Sequence, residues 1–277
     1  MLYGIDISNY QRNNYKYLID TYAKDFVICR AAWRYKVDPM CDPMYQYAKN
    51  KGKKLGVYFF PLTSDGSPEE HAEWAYNQVL GYINEAIPIL DWEAYSGAEG
   101  KNDVAFVDWA YRWLNRFYNL SGVKPMIYMN SNCNSLYNFE KFVKANFGLW
   151  IANYGKNLGG FITRPKVKWW ISAAMHQYTS LGDNGKNLDK DAFYGDREAW
   201  AKFAKSNKEI NINPSPIEKY YTEAEVQEII KSTENKYFAE IDRLTKEARD
   251  SQSKLGVCEK VVKEAKEGVE GLLNYNE

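Results

Sequence analysis

Short apolar segments recur along residues 1–210 of this 277-residue chain, and stretches with helical periodicity separate most of them. Strands that alternate with helices pair in parallel, and eight strands favour a barrel over an open sheet. Because little helix separates the last three segments, the sequence predicts an α/β fold with an irregular (β/α) barrel of about eight strands. The eight segments are residues 2–8, 26–31, 55–60, 86–92, 124–130, 148–153, 169–178 and 188–189. Helices are predicted at residues 15–24, 44–52, 67–84, 103–120, 137–145 and 192–206.

The fourth segment, Ile87-Pro-Ile-Leu-Asp-Trp-Glu93, ends abruptly in two carboxylic acids. Successive side chains of a strand point to opposite faces, so Asp91 and Glu93 point the same way and Trp92 points the other way. Burial and mutual repulsion raise the pKa of at least one member of such a pair, which suits general acid catalysis. The alternative is a strand end that turns into solvent, where Asp and Glu carry no chemical role.

The C-terminal ends of several segments carry polar residues, and these ends meet on one face of a barrel. Three aspartates and one glutamate (Asp6, Asp91, Asp189 and Glu93) would ring its mouth, with tyrosines and tryptophans nearby. Carboxyl groups beside aromatic rings are typical of a glycosidase, because aromatic faces stack on sugar rings while a carboxyl pair handles protonation. A hard metal ion is the rival ligand, but the sequence has no Asp-rich loop with calcium spacing.

Composition disfavours several other classes of protein. The two histidines have no partner at metal-ligand spacing, so we expect neither a zinc site nor a cofactor. No apolar run is long enough to span a membrane, and no concentrated basic patch indicates nucleic-acid binding. The four cysteines are scattered and form no CxxC motif, and the N-terminal residues lack the pattern of a signal peptide. We therefore expect a protein made in the cytoplasm.

Six sequence blocks within residues 1–205 carry a family resemblance. They are Gly4-Ile-Asp-Ile-Ser-Asn-Tyr-Gln11, Gly56-Val-Tyr-Phe-Phe60, Asp91-Trp-Glu93, Ile127-Tyr128, Leu149-Trp-Ile-Ala-Asn-Tyr154 and His176-Gln-Tyr-Thr-Ser180. In this order they resemble the motifs of glycoside hydrolase family 25, the Chalaropsis-type lysozymes that are common among bacteriophage endolysins. The resemblance implies the same irregular barrel.

The resemblance also implies roles for individual residues. Glu93 matches the catalytic acid, and Asp91 matches the carboxylate that assists across the scissile bond. Asp6 and Asp189 match two further aspartates of the cleft, with Asp191 as a rival to Asp189. The predicted substrate-binding residues, of which the three tyrosines match positions lining the sugar cleft, are Tyr58, Phe60, Tyr128, Trp150, Asn153, Tyr154 and Gln177.

Two positions depart from the family pattern. Phe59 stands where many members have histidine, and His176 stands where tryptophan usually precedes the Gln-Tyr pair. We expect these changes to affect the preference of sugar subsites rather than catalysis.

The activity that the resemblance implies is that of an N-acetylmuramidase. Such an enzyme cleaves the β-1,4 bond between N-acetylmuramic acid and N-acetylglucosamine in peptidoglycan glycan strands. A phage or prophage lysin would be made in the host cytoplasm without a signal peptide and act on the bacterial cell wall after release by a holin. The alternatives are a non-catalytic wall-binding protein or a virion structural component on the same barrel.

The C-terminal part of the chain differs in composition from the rest. Residues 214–277 carry 10 Lys or Arg and 14 Asp or Glu, and none of the nine tryptophans. The segment Asn213-Pro-Ser-Pro216 marks a linker over residues 211–221, which separates a catalytic barrel at residues 1–210 from a helical tail at residues 222–277. Thr222 and Glu225 form a capping box that predicts the start of the tail helix.

Apolar or small residues in this tail recur at alternating steps of four and three, which is a heptad pattern. The pattern runs through Tyr237, Ile241, Leu244, Ala248, Ser251, Leu255, Cys258, Val262, Ala265, Val269 and Leu272. We expect a homo-oligomer through a coiled coil. A helical hairpin, a helix folded back on the barrel and a wall-targeting segment remain alternatives.

Overall fold

The computed structural model describes residues 1–93, 104–161, 163–183 and 185–206. The predicted linker and the heptad tail lie outside these residues. None of the helices in the described ranges combines the length and the apolar character that a membrane crossing requires.

Within the described ranges, nine strands form one sheet, and eight of them close into a barrel. Going round the barrel, the order is β1, β2, β4, β5, β6, β7, β8 and β9, and β9 pairs again with β1. The two-residue β3 extends β2 as a hairpin. The strands are β1 Leu2–Ile7, β2 Phe26–Trp33, β3 Lys36–Val37, β4 Lys54–Phe60, β5 Ala86–Asp91, β6 Met126–Asn130, β7 Gly148–Ala152, β8 Met175–Thr179 and β9 Asp189–Phe193. The predicted irregular barrel of about eight strands is confirmed.

The prediction of parallel pairing is wrong for the last strand. β9 runs antiparallel to both of its neighbours, β1 and β8, whereas the other barrel strands pair in parallel. A parallel pair needs a crossover of a dozen or more residues, which is usually a helix, and the short segment before β9 contains no helix among its described residues. The strand also takes residues 192–193, which the sequence pattern assigned to the last helix.

Helices cover the outside of the barrel and one of its ends. They are α1 Tyr15–Tyr22, α2 Cys41–Asn50, α3 Pro68–Gln78, α4 Val104–Ser121, α5 Ser131–Leu136, α6 Glu140–Lys144 and α7 Arg197–Ala204. Ser67 caps α3, and Pro68 occupies its first turn, at the start of the helix predicted for residues 67–84. The single helix predicted at 137–145 is instead the pair α5 and α6. The first of them starts earlier because Asn130 caps it: the Cys133 amide donates to Asn130 Oδ1 (2.8 Å).

Alternation along the strands divides the apolar side chains into two cores. Side chains on one face of the strands, such as Ile5 and Val27, pack against the helices in the outer core. The other side, for example Phe26 and Ile89, fills the barrel interior. Trp200 of α7 joins the interior core, where its indole N–H donates to the Leu55 carbonyl oxygen (3.1 Å) near the start of β4. The helix α7 therefore closes the end of the barrel at which the parallel strands begin.

Gly4 permits the close approach of β1 and β2, and we expect Gly4→Ala to destabilise the fold. A Cβ atom at Gly4 would overlap the carbonyl oxygen and the ring of Phe26, its partner across the strand pair. Overpacking costs about 1–3 kcal/mol, and a backbone clash belongs at the upper end of that range. Urea denaturation should therefore show a fall of about 2–3 kcal/mol in the free energy of unfolding.

The matched control is Gly81→Ala. A Cβ atom there would meet no atom within 4 Å. We expect a change of less than about 0.5 kcal/mol. Equal effects of the two substitutions would contradict the close-approach argument.

Candidate active site

A pocket of about 270 Å³ opens at the end of the barrel where the parallel strands finish. This is the end at which barrel enzymes place their chemistry. All eight barrel strands and some adjoining loops contribute to its lining. The lining residues are Asp6, Ile7, Ser8, Tyr10, Gln11, Arg30, Tyr58, Asp91, Glu93, Tyr128, Trp150, Tyr154, Gln177 and Asp189.

The pocket brings together most of the residues that the sequence singled out. All four predicted catalytic carboxyls line it, as do five of the seven predicted substrate-binding residues. Phe60 instead lines an adjoining cavity of about 430 Å³, which shares Tyr10, Arg30, Tyr58 and Asp91 with the first. Asn153 is absent from both linings, and its side chain donates to the Ser131 hydroxyl (2.9 Å).

Trp92 anchors the segment that carries the carboxyl pair. Its backbone N–H donates to the Tyr128 carbonyl oxygen (2.9 Å), although β5 itself ends at Asp91. Its indole is fully buried and stacks on Trp109 at a centroid distance of 4.8 Å and on Phe106 at 4.7 Å. The tryptophan thus points into the outer core, while Asp91 and Glu93 line the pocket, as alternation predicts.

A hydrogen-bond network fixes Asp6, the lining residue from β1. Gln177 donates from Nε2 to Asp6 Oδ2 (2.8 Å). The Oε1 atom of Gln177 accepts the hydroxyl hydrogens of Tyr128 (2.9 Å) and Tyr154 (2.6 Å). Because both tyrosines donate to Gln177, its amide has one orientation, and its N–H group is directed to Asp6.

Asp189 and Asp191 occupy different levels of the same strand. Asp189 pairs with Asp6 across β1 and β9, and it lines the pocket. Asp191 pairs with Gly4, one layer deeper, and is fully buried. Its Oδ1 atom accepts the indole N–H of Trp150 (2.9 Å). The geometry therefore puts Asp189, and not its rival Asp191, in contact with the pocket.

Burial raises the pKa of several of these carboxyl groups. Loss of hydration is the main cause for Asp91, whose pKa lies well above its ordinary range, with repulsion from Glu93 and Asp6 adding to it. Burial also raises the pKa of Asp189 to about 8. For Asp6 burial outweighs the hydrogen bond from Gln177, and the pKa rises to about 6. The pocket consequently holds acidic protons near neutral pH.

Arg30 is a pocket residue that the predicted site set does not include. Its Nε donates to Asp38 Oδ2 (2.8 Å), and its guanidinium lies 5.3 Å from the ring centre of Tyr10. Ser8 and Gln11 are two further lining residues, and here a local signal exists. The spacing Ser-x-x-Gln is a capping box, and the Ser8 amide donates to Gln11 Oε1 (2.9 Å). The capping box turns the chain sharply just after β1, at the edge of the pocket.

The two departures from the family pattern both lie away from the pocket lining. Phe59 is fully buried in the outer core, with its ring near Trp113 and Phe117. His176 is fully buried, with Nε2 near the Asn153 carbonyl oxygen (2.7 Å) and Nδ1 near the Tyr194 hydroxyl (3.0 Å). An effect on sugar preference would thus have to pass through neighbouring residues.

The arrangement suits acid-assisted cleavage of a bond between sugars. It supplies a carboxyl pair, further acids that hold protons, and aromatic rings along the wall. Within the described ranges, no group of three or more histidine, cysteine or acidic side chains is placed to hold a metal ion.

Comparisons with known proteins agree with this geometry. The model of the family described as glycosyl hydrolases family 25 matches residues 5–186, which include Asp6, Asp91 and Glu93. A search of curated protein sequences found no match.

Solved structures with the same barrel include a muramidase, a lysozyme and an endolysin. A muramidase from Trichobolus zukalii is 25% identical, with a TM-score of 0.59 over 74% of this chain and 99% of that chain. A bacterial lysozyme from Streptomyces coelicolor is 18% identical, with a TM-score of 0.63 over 75% and 98%. The CTP1L endolysin is 23% identical, with a TM-score of 0.57 over 73% and 70%.

The raised pKa values predict that stability falls as pH rises. A carboxyl with a higher pKa in the folded state binds a proton that the unfolded chain has released. Its stabilising contribution is complete below the unfolded value of about 4 and is lost as pH passes the folded value. For Asp6 and Asp189 the folded values are about 6 and about 8. Urea denaturation should show the free energy of unfolding falling between about pH 4 and pH 8, by about 1.4 kcal/mol per pH unit for each such proton.

The control for this prediction is Asp189→Asn. It removes the proton with the higher pKa, so the decline above about pH 6 should become shallower. Surface acids with lowered pKa values, such as Asp196 at the start of α7, make the free energy of unfolding rise with pH, but only below about pH 4. Identical pH profiles for the variant and the parent would contradict the assignment to Asp189.

Proposed function

Because the chain belongs to the glycosyl hydrolases of family 25, we propose that it cleaves the β-1,4 bond between N-acetylmuramic acid and N-acetylglucosamine in peptidoglycan. Family membership makes the chain a glycosidase of the lysozyme type, which hydrolyses peptidoglycan of the cell wall. The bond specificity is our proposal. We also propose that the protein is a phage or prophage lysin, and its likeness to the CTP1L endolysin supports this origin.

One observation carries the proposal: Asp91 and Glu93 share a pocket with Asp6 and Asp189, which arrive from other strands. Arg30 is the cationic side chain among the lining residues, and Asp38 already balances its charge. A positive charge that develops on a sugar in this pocket would therefore be stabilised by its acidic surroundings.

The proposed roles of the pair follow from this chemistry. Glu93 donates a proton to the glycosidic oxygen, and the bond from that oxygen to the anomeric carbon breaks. The oxygen of the sugar's own N-acetyl group attacks the anomeric carbon, while Asp91 accepts a hydrogen bond from the N-acetyl N–H. Burial and negative neighbours raise the pKa of Asp91, and the positive charge that develops on the sugar favours the ionised form that accepts this hydrogen bond. Glu93 then takes a proton from the water that opens the ring intermediate.

The adjoining cavity supplies a surface for neighbouring sugars. Tyr10 and Trp33 are exposed there, and Phe60 completes the wall. Aromatic rings stack on the apolar faces of sugars, and a glycan chain extends beyond the bond that is cut. The cavity is therefore proposed to hold a continuation of the glycan strand.

A non-catalytic wall-binding protein is the second candidate. The exposed aromatic wall favours glycan binding whether or not cleavage follows. A protein that only binds glycan has no need for buried pocket acids, whose burial costs free energy of folding. We therefore place the enzyme first.

We expect Glu93→Gln to abolish wall lysis and leave the fold intact. Glutamine keeps the shape of the side chain but has no acidic proton, and general acid catalysis contributes about 100-fold or more. The measurement is turbidity loss of Gram-positive cell walls with reducing-end analysis of the fragments, together with thermal unfolding.

Glu140→Gln is the matched control, since Glu140 pairs with Lys144 on the surface of α6. It should keep full activity. Undiminished lysis by Glu93→Gln would remove Glu93 from the mechanism, and an inactive parent protein would favour the binding protein.

The participation of the N-acetyl group predicts the stereochemistry of the product. Attack by this group followed by attack of water inverts the anomeric carbon twice, so the first-formed reducing end should be the β-anomer. NMR during the first turnovers distinguishes the anomers. An inverted first product would rule out this route, although it would leave Glu93 as the acid.

A further inference from the structure

Asp191 is an acid that the proposed chemistry does not use. It lies in the barrel interior, fully buried, between Gly4 of β1 and Gln177 of β8 in the strand pairing. Trp150 donates to its Oδ1 atom (2.9 Å). Its Oδ2 atom is also buried, and no donor among the described residues reaches it. An ionised carboxylate with one neutral hydrogen bond is very costly in such a place.

A second carboxyl group, that of Asp6, lies beside Asp191. The two carboxyl groups lie within hydrogen-bonding reach of each other. Two ionised carboxylates would repel, because each only accepts hydrogen bonds. A hydrogen bond between them therefore requires a proton on one member.

We propose that Asp191 is a neutral carboxylic acid whose Oδ2–H group donates to Asp6 and so positions Asp6 in the pocket. Asp6 would then accept hydrogen bonds from two directions, from Gln177 and from Asp191. In this arrangement Asp191 acts on the reaction through Asp6 and does not touch the substrate. The consequence for catalysis rests on the proposed function, whereas the location of the proton does not.

The electrostatic surroundings place the proton on Asp191 rather than on Asp6. Burial, and then the negative charge of Asp6, raise the pKa of Asp191 well above its ordinary range. The hydrogen bond between the two acids raises the pKa of Asp191 further and lowers that of Asp6. The donor of Trp150 acts in the opposite direction but is the smallest of these influences.

A neutral donor at this position can be replaced by an amide. In Asp191→Asn, the Nδ2–H group would donate to Asp6, and Oδ1 would still accept from Trp150, within nearly the same volume. Asp191→Leu has a similar volume but no donor, so it leaves Asp6 with Gln177 alone and the Trp150 indole without a partner.

The first experiment compares these two variants in the full chain. Asp191→Asn should keep kcat for wall lysis within about threefold of the parent, since one neutral donor replaces another. Asp191→Leu should lower kcat about tenfold or more, because Asp6 loses a charge-assisted bond, and KM should change less. An inactive or unfolded Asp191→Asn protein would overturn the proposal, because an ionised Asp191 is the state that an amide cannot replace.

The second experiment locates the proton without any activity. An infrared difference spectrum between the parent and Asp191→Asn at neutral pH should show the loss of one protonated carboxyl band. Loss of an ionised carboxylate band instead would overturn the proposal. Were the parent protein unable to lyse walls, the proposed function would fail, while this spectrum would still decide the protonation of Asp191. Should Asp191→Leu fail to fold, Asp191→Asn and the spectrum carry the test.

Discussion

The cost of removing carboxyl groups from water is the constraint on which the open end of the barrel depends. A buried carboxylate must pair with a cation, accept several hydrogen bonds or take up a proton. Asp38 pairs with Arg30 and also accepts backbone N–H groups from Asn9 and Met40. Asp6 accepts from Gln177. Asp91 has a buried oxygen without a partner among the described residues, and its pKa rises. The acids thus differ in charge because their partners differ.

The outer core holds these acids in place from behind. Trp92 stacks between the aromatic rings of α4, and Trp109 also donates to the Gly66 carbonyl oxygen (3.0 Å) in the loop before α3. A stacked aromatic pair contributes about 0.5–1.5 kcal/mol beyond burial of its surface. The segment that carries the carboxyl pair is therefore fixed by apolar packing on one face, which leaves its acidic face free for chemistry.

Much of the fold could be read from local patterns, and the remainder depends on pairing between distant segments. The two acids at the end of the apolar run 86–92, the start of α3 near residue 67 and the alternation along the strands are local features, so the sequence predicts them. The antiparallel course of β9 is seen in its pairing with both β1 and β8, which are distant or separate segments of the chain. The connection before β9 is too short for a parallel crossover. Arg30 follows Phe26 and Ile28 in the alternation of β2, which directs it into the barrel. Its bond to Asp38 is the part that local spacing does not indicate.

The pair Asp189 and Asp191 shows why a period of two leaves a site residue ambiguous. Both side chains point into the barrel, and on another strand Asp91 is likewise followed two residues later by an acid, Glu93. β5 ends at Asp91, so Glu93 leaves the sheet and both of its acids line the pocket. β9 begins at Asp189, at the pocket end of the barrel, and continues toward the opposite end. Its second acid, Asp191, therefore lies one layer deeper and accepts the Trp150 indole N–H instead of lining the pocket. The direction of a strand therefore decides whether a repeated acid faces the substrate or the core.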